Sequence, residues 1–114
     1  MDQLLTISVE SLKRVELVTA NGRIDSNTAP EFESALKRIT EDGRYKIVLD
    51  LANVSYMSSA GLRAIVATLR EAKKHGGDVR LAQPSERVAE VLSLAGLDSL
   101  FQVHGDTTTA VGSF

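Results

Sequence analysis

The sequence has no cysteine. Disulfides, thiolate nucleophiles, iron–sulfur clusters and cysteine-ligated zinc are therefore excluded. Histidine is scarce: His75 and His104 are the only two, too few for a histidine-rich metal site. Charge of one sign is also lacking. The 13 basic and 15 acidic side chains leave a formal charge of −2. A nucleic-acid binder relying on bulk positive charge would need a clear basic excess or stripe. No apolar run approaches the roughly 18 residues of a membrane span, so no membrane insertion is expected. Met1-Asp2-Gln3-Leu4-Leu5 has neither the basic start nor the apolar core of a secretory signal, and a cytoplasmic location is expected.

What is present is the composition of one soluble domain: 114 residues, 43% hydrophobic and 25% charged. A chain this size buries on the order of 65% of its unfolded surface and needs no staple.

Strand and helix signals alternate without an internal repeat. Leu5, Ile7 and Val9 alternate with Thr6 and Ser8, the pattern of a half-buried strand. Val15 and Leu17 continue it after a turn around residues 11–13, which predicts a hairpin, and Asn21-Gly22 breaks the pattern. Thr28 and Glu31 have capping-box spacing, with Pro30 in the first turn of a helix. Ala29, Phe32, Ala35, Leu36 and Ile39 form its inner stripe, and Asp42-Gly43 stops it.

The run Lys46-Ile47-Val48-Leu49-Asp50-Leu51 predicts a strand covered on both faces. A loop ending in Tyr56-Met57 leads to Ser58, a candidate cap for a second helix with Leu62, Ile65, Val66 and Leu69 inward. Gly76-Gly77 closes that helix, and residues 79–82 read as a strand. Pro84-Ser85 opens a third helix with Val88, Val91, Leu92 and Ala95 inward, ended by Gly96. Residues 100–103 read as a last short strand, and Asp106 can cap a short final helix. The resulting order predicts a mixed sheet with helices packed mainly on one face.

No enzyme chemistry emerges. The serines in Tyr56-Met57-Ser58-Ser59-Ala60-Gly61-Leu62 lack the glycine that precedes a hydrolase nucleophile. His75 sits about 24 Å from the start of its helix at 1.5 Å per residue, too far to activate them. Nothing around His104 marks it as a base. No catalytic residue, metal site or cofactor is assigned. Gly76-Gly77 follows a helix rather than opening one, so it is no phosphate loop. Arg70, Lys73 and Lys74, balanced by Glu71 at a helix C-terminus, read as a solvated face.

The Ser58-Ser59 pair supports two readings. In one, Ser58 simply caps the helix while Ala60-Gly61 allow close packing of its first turn. In the other, the free N–H groups and positive dipole of the helix start allow a phosphate on serine without unfolding the domain.

At these residues the sequence resembles the anti-sigma factor antagonists of the STAS domain family. The resemblance rests on Ile47-Val48-Leu49-Asp50-Leu51, on Val54-Ser55-Tyr56-Met57-Ser58-Ser59-Ala60-Gly61-Leu62, on Gly22-Arg23-Ile24-Asp25-Ser26-Asn27-Thr28-Ala29 and on Leu94-Ala95-Gly96-Leu97. It runs from about residue 3 to residue 104, the core of a single STAS-like α/β domain over 1–114 with a four- to five-stranded mixed sheet and a tail at 105–114. It implies partner switching: the unmodified protein binds an anti-sigma factor with a histidine-kinase-like ATPase fold, and the sigma factor is released. Serine phosphorylation at the start of the second helix ends that binding, and a PP2C-type phosphatase restores it.

One departure matters. The family's common form is Asp-Ser-Ser-Gly-Leu, with the second serine as acceptor. Aligned on Gly61-Leu62, this chain has Ser58 for the aspartate, Ser59 for the first serine and Ala60 for the acceptor. Ser59 is then the first candidate acceptor and Ser58 the second, unless the switch is lost. Asp25 aligns with the family's loop aspartate, a partner contact, though an Asp before a helix also serves backbone N–H groups. The implied partner-binding set is Asp25, Ser26, Asn27, Ser58, Ser59, Gly61 and Arg63. Asp50 is expected to support its adjacent loop. Two other readings are a constitutive, unphosphorylated STAS interaction subunit, which Ala60 favours, and a nucleotide-binding STAS module, for which no phosphate loop exists. An exposed N-terminal edge strand allows a monomer or a weak dimer, and terminal Phe114 can tuck against the sheet.

Overall fold

The computed structural model describes residues 4–114; Met1, Asp2 and Gln3, where the leader reading and the resemblance begin, lie outside the described residues. The chain runs β1 (Thr6–Leu12), β2 (Val15–Ile24), α1 (Ala29–Glu41), β3 (Lys46–Met57), α2 (Ser59–Lys74), β4 (Asp78–Ala82), α3 (Glu86–Leu94), β5 (Val103–His104) and α4 (Thr107–Gly112). The five strands form one sheet in sequence order. β1 and β2 pair antiparallel, as the predicted hairpin, and the other neighbours pair parallel.

The apolar pattern decides which face each helix covers. Val18, Ile47, Leu49 and Leu81 share one buried cluster with Phe32 and Leu36 of α1, Ile65 of α2 and Leu92 of α3. Successive strand residues point to opposite faces, so Val15, Val48 and Ala82 build a second, smaller cluster, covered by Ala110 of α4. Phe114 packs onto this cluster too, and the Arg80 guanidinium stands 4.0 Å from its ring centroid. The tail thus tucks against the sheet as expected.

Four local expectations are corrected. The turn of the hairpin lies at Lys13, which adopts φ 57°, while Ser11 and Leu12 still belong to β1. Asn21-Gly22 does not end β2. Irregularities between Thr19 and Asn21 and between Gly22 and Arg23 carry the strand on to Ile24, and Gly22 supplies φ +115° where a Cβ would strike the Leu4 carbonyl. Because β2 continues, β3 has a partner beyond Leu51, and residues 52–57 are strand rather than loop. Finally, of the predicted 100–103 strand only Val103 pairs with β4, joined by His104, so β5 starts later than its apolar run and ends one residue beyond it.

Alternation along β2 puts Glu16 on the helix-covered side, and it is 2% exposed. Its carboxylate accepts from Arg44 Nη1 at 2.8 Å and from the Ser11 hydroxyl at 2.8 and 3.0 Å. The two partners are unequal: the Arg44 side chain is 44% exposed and Glu16 only 3%. Truncating arginine strands a buried carboxylate, whereas truncating glutamate frees an arginine that water can reach. Arg44→Met is therefore expected to destabilise the fold by about 2–4 kcal/mol, and Glu16→Met by distinctly less. Urea denaturation of both variants checks the order.

Candidate functional site

The site grows from the point where β2 and β3 end together. Ile24 is in register with Met57, and the Ser58 N–H donates to the Ile24 carbonyl at 2.7 Å. The residues that follow each strand, Asp25 and Ser58, therefore leave the sheet side by side, one entering α1 and the other α2.

Ser58 takes an extended conformation, φ −81° and ψ 167°, and its hydroxyl oxygen accepts from the Gly61 N–H at 3.2 Å. It is the N-cap that the sequence predicted, half-buried and engaged. Ser59 is exposed in the first helical turn. Ala60 is half-buried and packs against the core. Gly61 is buried. A Cβ there would come within 2.5 Å of Met57 Sδ and 2.7 Å of Ile24 Cγ2. Gly61, expected in the partner-binding set, is thus buried and lets α2 start directly on the strand ends.

The loop before α1 differs from the predicted capping box. The Thr28 hydroxyl makes no N-cap bond to the helix. It accepts from the Asp25 N–H at 2.9 Å and donates to the Arg23 carbonyl at 2.7 Å. Asp25 closes the loop instead, with Oδ1 accepting from the Asn27 N–H at 2.9 Å and the Thr28 N–H at 3.1 Å, while the Glu31 N–H that a capping box would use bonds the Thr28 carbonyl at 3.0 Å. Those Thr28 and Asn27 donors, with a smaller contribution from nearby Arg23, hold the Asp25 carboxyl below its ordinary value. Ser26 and Asn27 are exposed at the tip. Asp50 does not support a loop as expected: it lies in the middle of β3, where its carboxylate accepts from the Ala52 N–H at 3.1 Å.

The predicted residues Asp25, Ser26, Asn27, Ser58 and Ser59 gather around these two helix starts, and exposed Arg63 lies one turn along α2 from Ser59. Sequence reasoning missed Arg23 and Tyr56, which pair across β2 and β3. Arg23 stands 4.6 Å from the Tyr56 ring centroid and reaches Asp25 Oδ2 at 3.7 Å. Their pairing depends on the irregularity in β2, which sets that register and leaves no mark in the local sequence. His75 lies at the opposite end of α2, stacked on Tyr45 at 4.1 Å. Among the described residues no group of three or more His, Asp or Glu could hold a metal, and no helix is long and apolar enough to cross a membrane.

Known proteins share this frame. Residues 6–110 match the model of the STAS domain. The anti-sigma-B factor antagonist of Staphylococcus epidermidis is 30% identical over 105 residues, covering 90% of this chain and 97% of that one. Its counterpart from Staphylococcus aureus strain NCTC 8325 is 31% identical over 103 residues, covering 90% and 95%. An anti-sigma factor antagonist from Mycobacterium paratuberculosis superposes with a TM-score of 0.87 at 28% identity, over 96% of this chain and 93% of the other.

Two outcomes follow from the site geometry. Gly61→Ala forces the α2 start away from Ile24 and Met57, and a loss of about 1–3 kcal/mol is expected in thermal or urea denaturation. The Asp25 carboxyl lies below its unfolded value of about 3.9, so its stabilisation of residues 25–28 is complete above that value. It is lost as pH falls through the lower folded value. Amide NMR of Asn27 and Thr28 should report that loss on acidification, and Asp25→Asn should abolish it.

Proposed function

The chain belongs to the STAS domain family, and from that membership we propose that it is an anti-sigma factor antagonist working as a partner switch. It is a regulatory binding protein and not an enzyme. In this reading the unmodified domain, a monomer or weak dimer in the cytoplasm, binds an anti-sigma factor with a histidine-kinase-like ATPase fold, and the sigma factor is freed. Phosphorylation at the start of α2 ends the complex, and a PP2C-type phosphatase resets it.

The observation that carries this reading is the exposed Ser59 in the first turn of α2, beside the loop held by Asp25. Its hydroxyl makes no hydrogen bond among the described residues. The Ser58 hydroxyl is committed to Gly61, so Ser59 is the preferred acceptor and Ser58 the second. A phosphate adds roughly −1.5 to −2 charges at one point. At a helix N-terminus the free N–H groups and the dipole tolerate it, while a packed interface over the same turn does not. The fold then stays intact as complementarity is lost. Asp25, Ser26, Asn27 and Arg63 complete the partner-facing set.

A second reading has one specific support. Ala60 stands where the family form has its acceptor, and here that position packs against the core. A constitutive interaction subunit, never phosphorylated, fits that substitution.

Phosphopeptide mass spectrometry of the protein from its native cells separates the two. Phosphate is expected on Ser59 and absent in Ser59→Ala. Ser58→Ala should keep the phosphate while losing about 0.5–2 kcal/mol of stability with its cap. An unmodified protein under both growth and stress, or an anti-sigma complex that survives stoichiometric phosphorylation, sinks the switch and leaves the constitutive subunit.

A further inference from the structure

The outer side of α2 carries a groove that starts at Ser59 and Arg63 of the site above and runs on along the helix. Ser59, Leu62, Arg63, Val66, Ala67, Arg70 and Leu97 line one end. Val66, Leu69, Arg70, Lys73, Lys74 and Leu100 line the other, so the two ends share Val66 and Arg70. Positions 59, 63, 66, 70 and 73–74 recur every three to four residues, one stripe of a helix running about 22 Å at 1.5 Å per residue. Leu100 is 49% exposed on its margin.

Four cations, Arg63, Arg70, Lys73 and Lys74, flank this apolar floor, and no acidic residue lines it. Glu71, which by sequence balances them, instead lines the groove between α1 and α2 with Glu33 and Glu41. Lys73 and Lys74 reach Asp78 and Glu71 only at 3.6 and 3.9 Å. Arg63 and Arg70 have no ion pair among the described residues. In a chain of net charge −2, an apolar strip flanked by two arginines without ion pairs and two lysines in long ones is a directed surface.

We propose that this groove docks an acidic amphipathic helix of a partner protein. The floor offers no unpaired strand edge, so strand addition has nothing to pair with, whereas a helix can lay Leu-type side chains on Val66, Leu97 and Leu100. Its flanking carboxylates then face the four cations, which steer the encounter and set its direction. A second copy of this chain is a poor occupant. Its Glu33, Glu41 and Glu71 line a different groove, between α1 and α2, so copies could meet these cations only head-to-tail and not as a self-complementary two-fold pair. The proposal deepens the partner-binding reading given above and rests on it for the partner's identity. Ser59 lies at the groove's mouth, where added negative charge would repel the same acids.

The test uses the full chain and a synthetic helical peptide of about 16 residues, long enough to span the groove. The peptide carries Leu on one face and Glu on both flanks; its twin carries Lys for Glu. The Glu peptide is expected to shift the amides of residues 63–74 and 97–100, and to bind more weakly as salt rises. The Arg70→Glu, Lys73→Glu double variant should weaken it by about tenfold or more without changing the circular dichroism or melting temperature. Leu100→Ser gives an independent check through the apolar floor. Four results would overturn the proposal: shifts elsewhere, equal binding of the Lys peptide, an unaffected double variant, or tighter binding to vesicles of phosphatidylcholine with one-quarter phosphatidylserine. Neither phosphate nor a sigma factor enters this measurement, so it and the phosphorylation assay fail independently.

Discussion

The close approach of α2 to the ends of β2 and β3 is the constraint on which the site depends. Gly61 has no side chain, and the space a Cβ would take belongs to Met57 and Ile24. The helix can therefore begin at once after the strand, with the Ser58 N–H still bonded to the Ile24 carbonyl. That bond extends the β2–β3 ladder by one link and pins the start of α2 beside the start of α1. Move the helix outward by the width of a methyl group and the ladder link, the Ser58 cap and the neighbouring Asp25 loop would all lose their common reference. The neighbouring helix is tied to the same strand extension. The Ser85 hydroxyl donates to the Val54 carbonyl at 2.6 Å while accepting from the Val88 N–H.

Much of this was legible from local chemistry. Ser58, Ser85 and Asp106 each accept from a backbone N–H three residues on, because capping depends only on a short polar side chain in extended backbone. Thr28 misled for a related reason. The Thr28 hydroxyl is held within the loop by the Arg23 carbonyl and the Asp25 N–H, and the Glu31 N–H it would have capped bonds the Thr28 carbonyl. The Asp25 carboxylate, three residues earlier, completes the same loop by accepting from the Asn27 and Thr28 N–H groups. The length of β3 was illegible because the polar residues Asn53 and Ser55 look like loop. Only the irregular continuation of β2 through Gly22 pairs Asn53, Val54, Tyr56 and Met57 and so keeps this stretch in the sheet. Glu16 was hidden in the same way. Between Val15 and Leu17 it reads as the solvent side of a strand, yet three helices cover that face, and Arg44 arrives from 28 residues away.

The two faces of the sheet differ in how they are closed. Three helices seal one side with a continuous apolar core, while the six-residue α4 and Phe114 cover only part of the other. There Arg80, 15% exposed, serves as a bracket. Its Nε bonds Asp78 Oδ2 at 3.1 Å, its Nη1 donates to the Ser113 hydroxyl at 2.8 Å, and its face stacks on Phe114. A short helix gains little from its own propensity. Tertiary contacts of this kind hold it, and they lie on the face opposite the α2 groove. Events at the two surfaces can therefore proceed without repacking each other.

The first residues of α2 show how a departure from a family pattern can be absorbed. At a helix start, three consecutive positions point in three directions, since each residue turns the helix by about 100°. One caps, one faces the sheet and one faces water. In this chain Ser58 caps, Ala60 packs on the core and Ser59 faces water. An acceptor at position 60 would need its hydroxyl to emerge from a half-buried position, whereas an acceptor at 59 needs no movement. On the proposed switch, the loss of a serine at 60 therefore transfers the modifiable hydroxyl to the one position already solvated. Arg63 follows four residues later on the same side of the helix, where a phosphate on Ser59 could draw it away from the groove that the partner's acids would otherwise occupy. A single charge would then act twice, by repelling the partner and by removing a cation that held it.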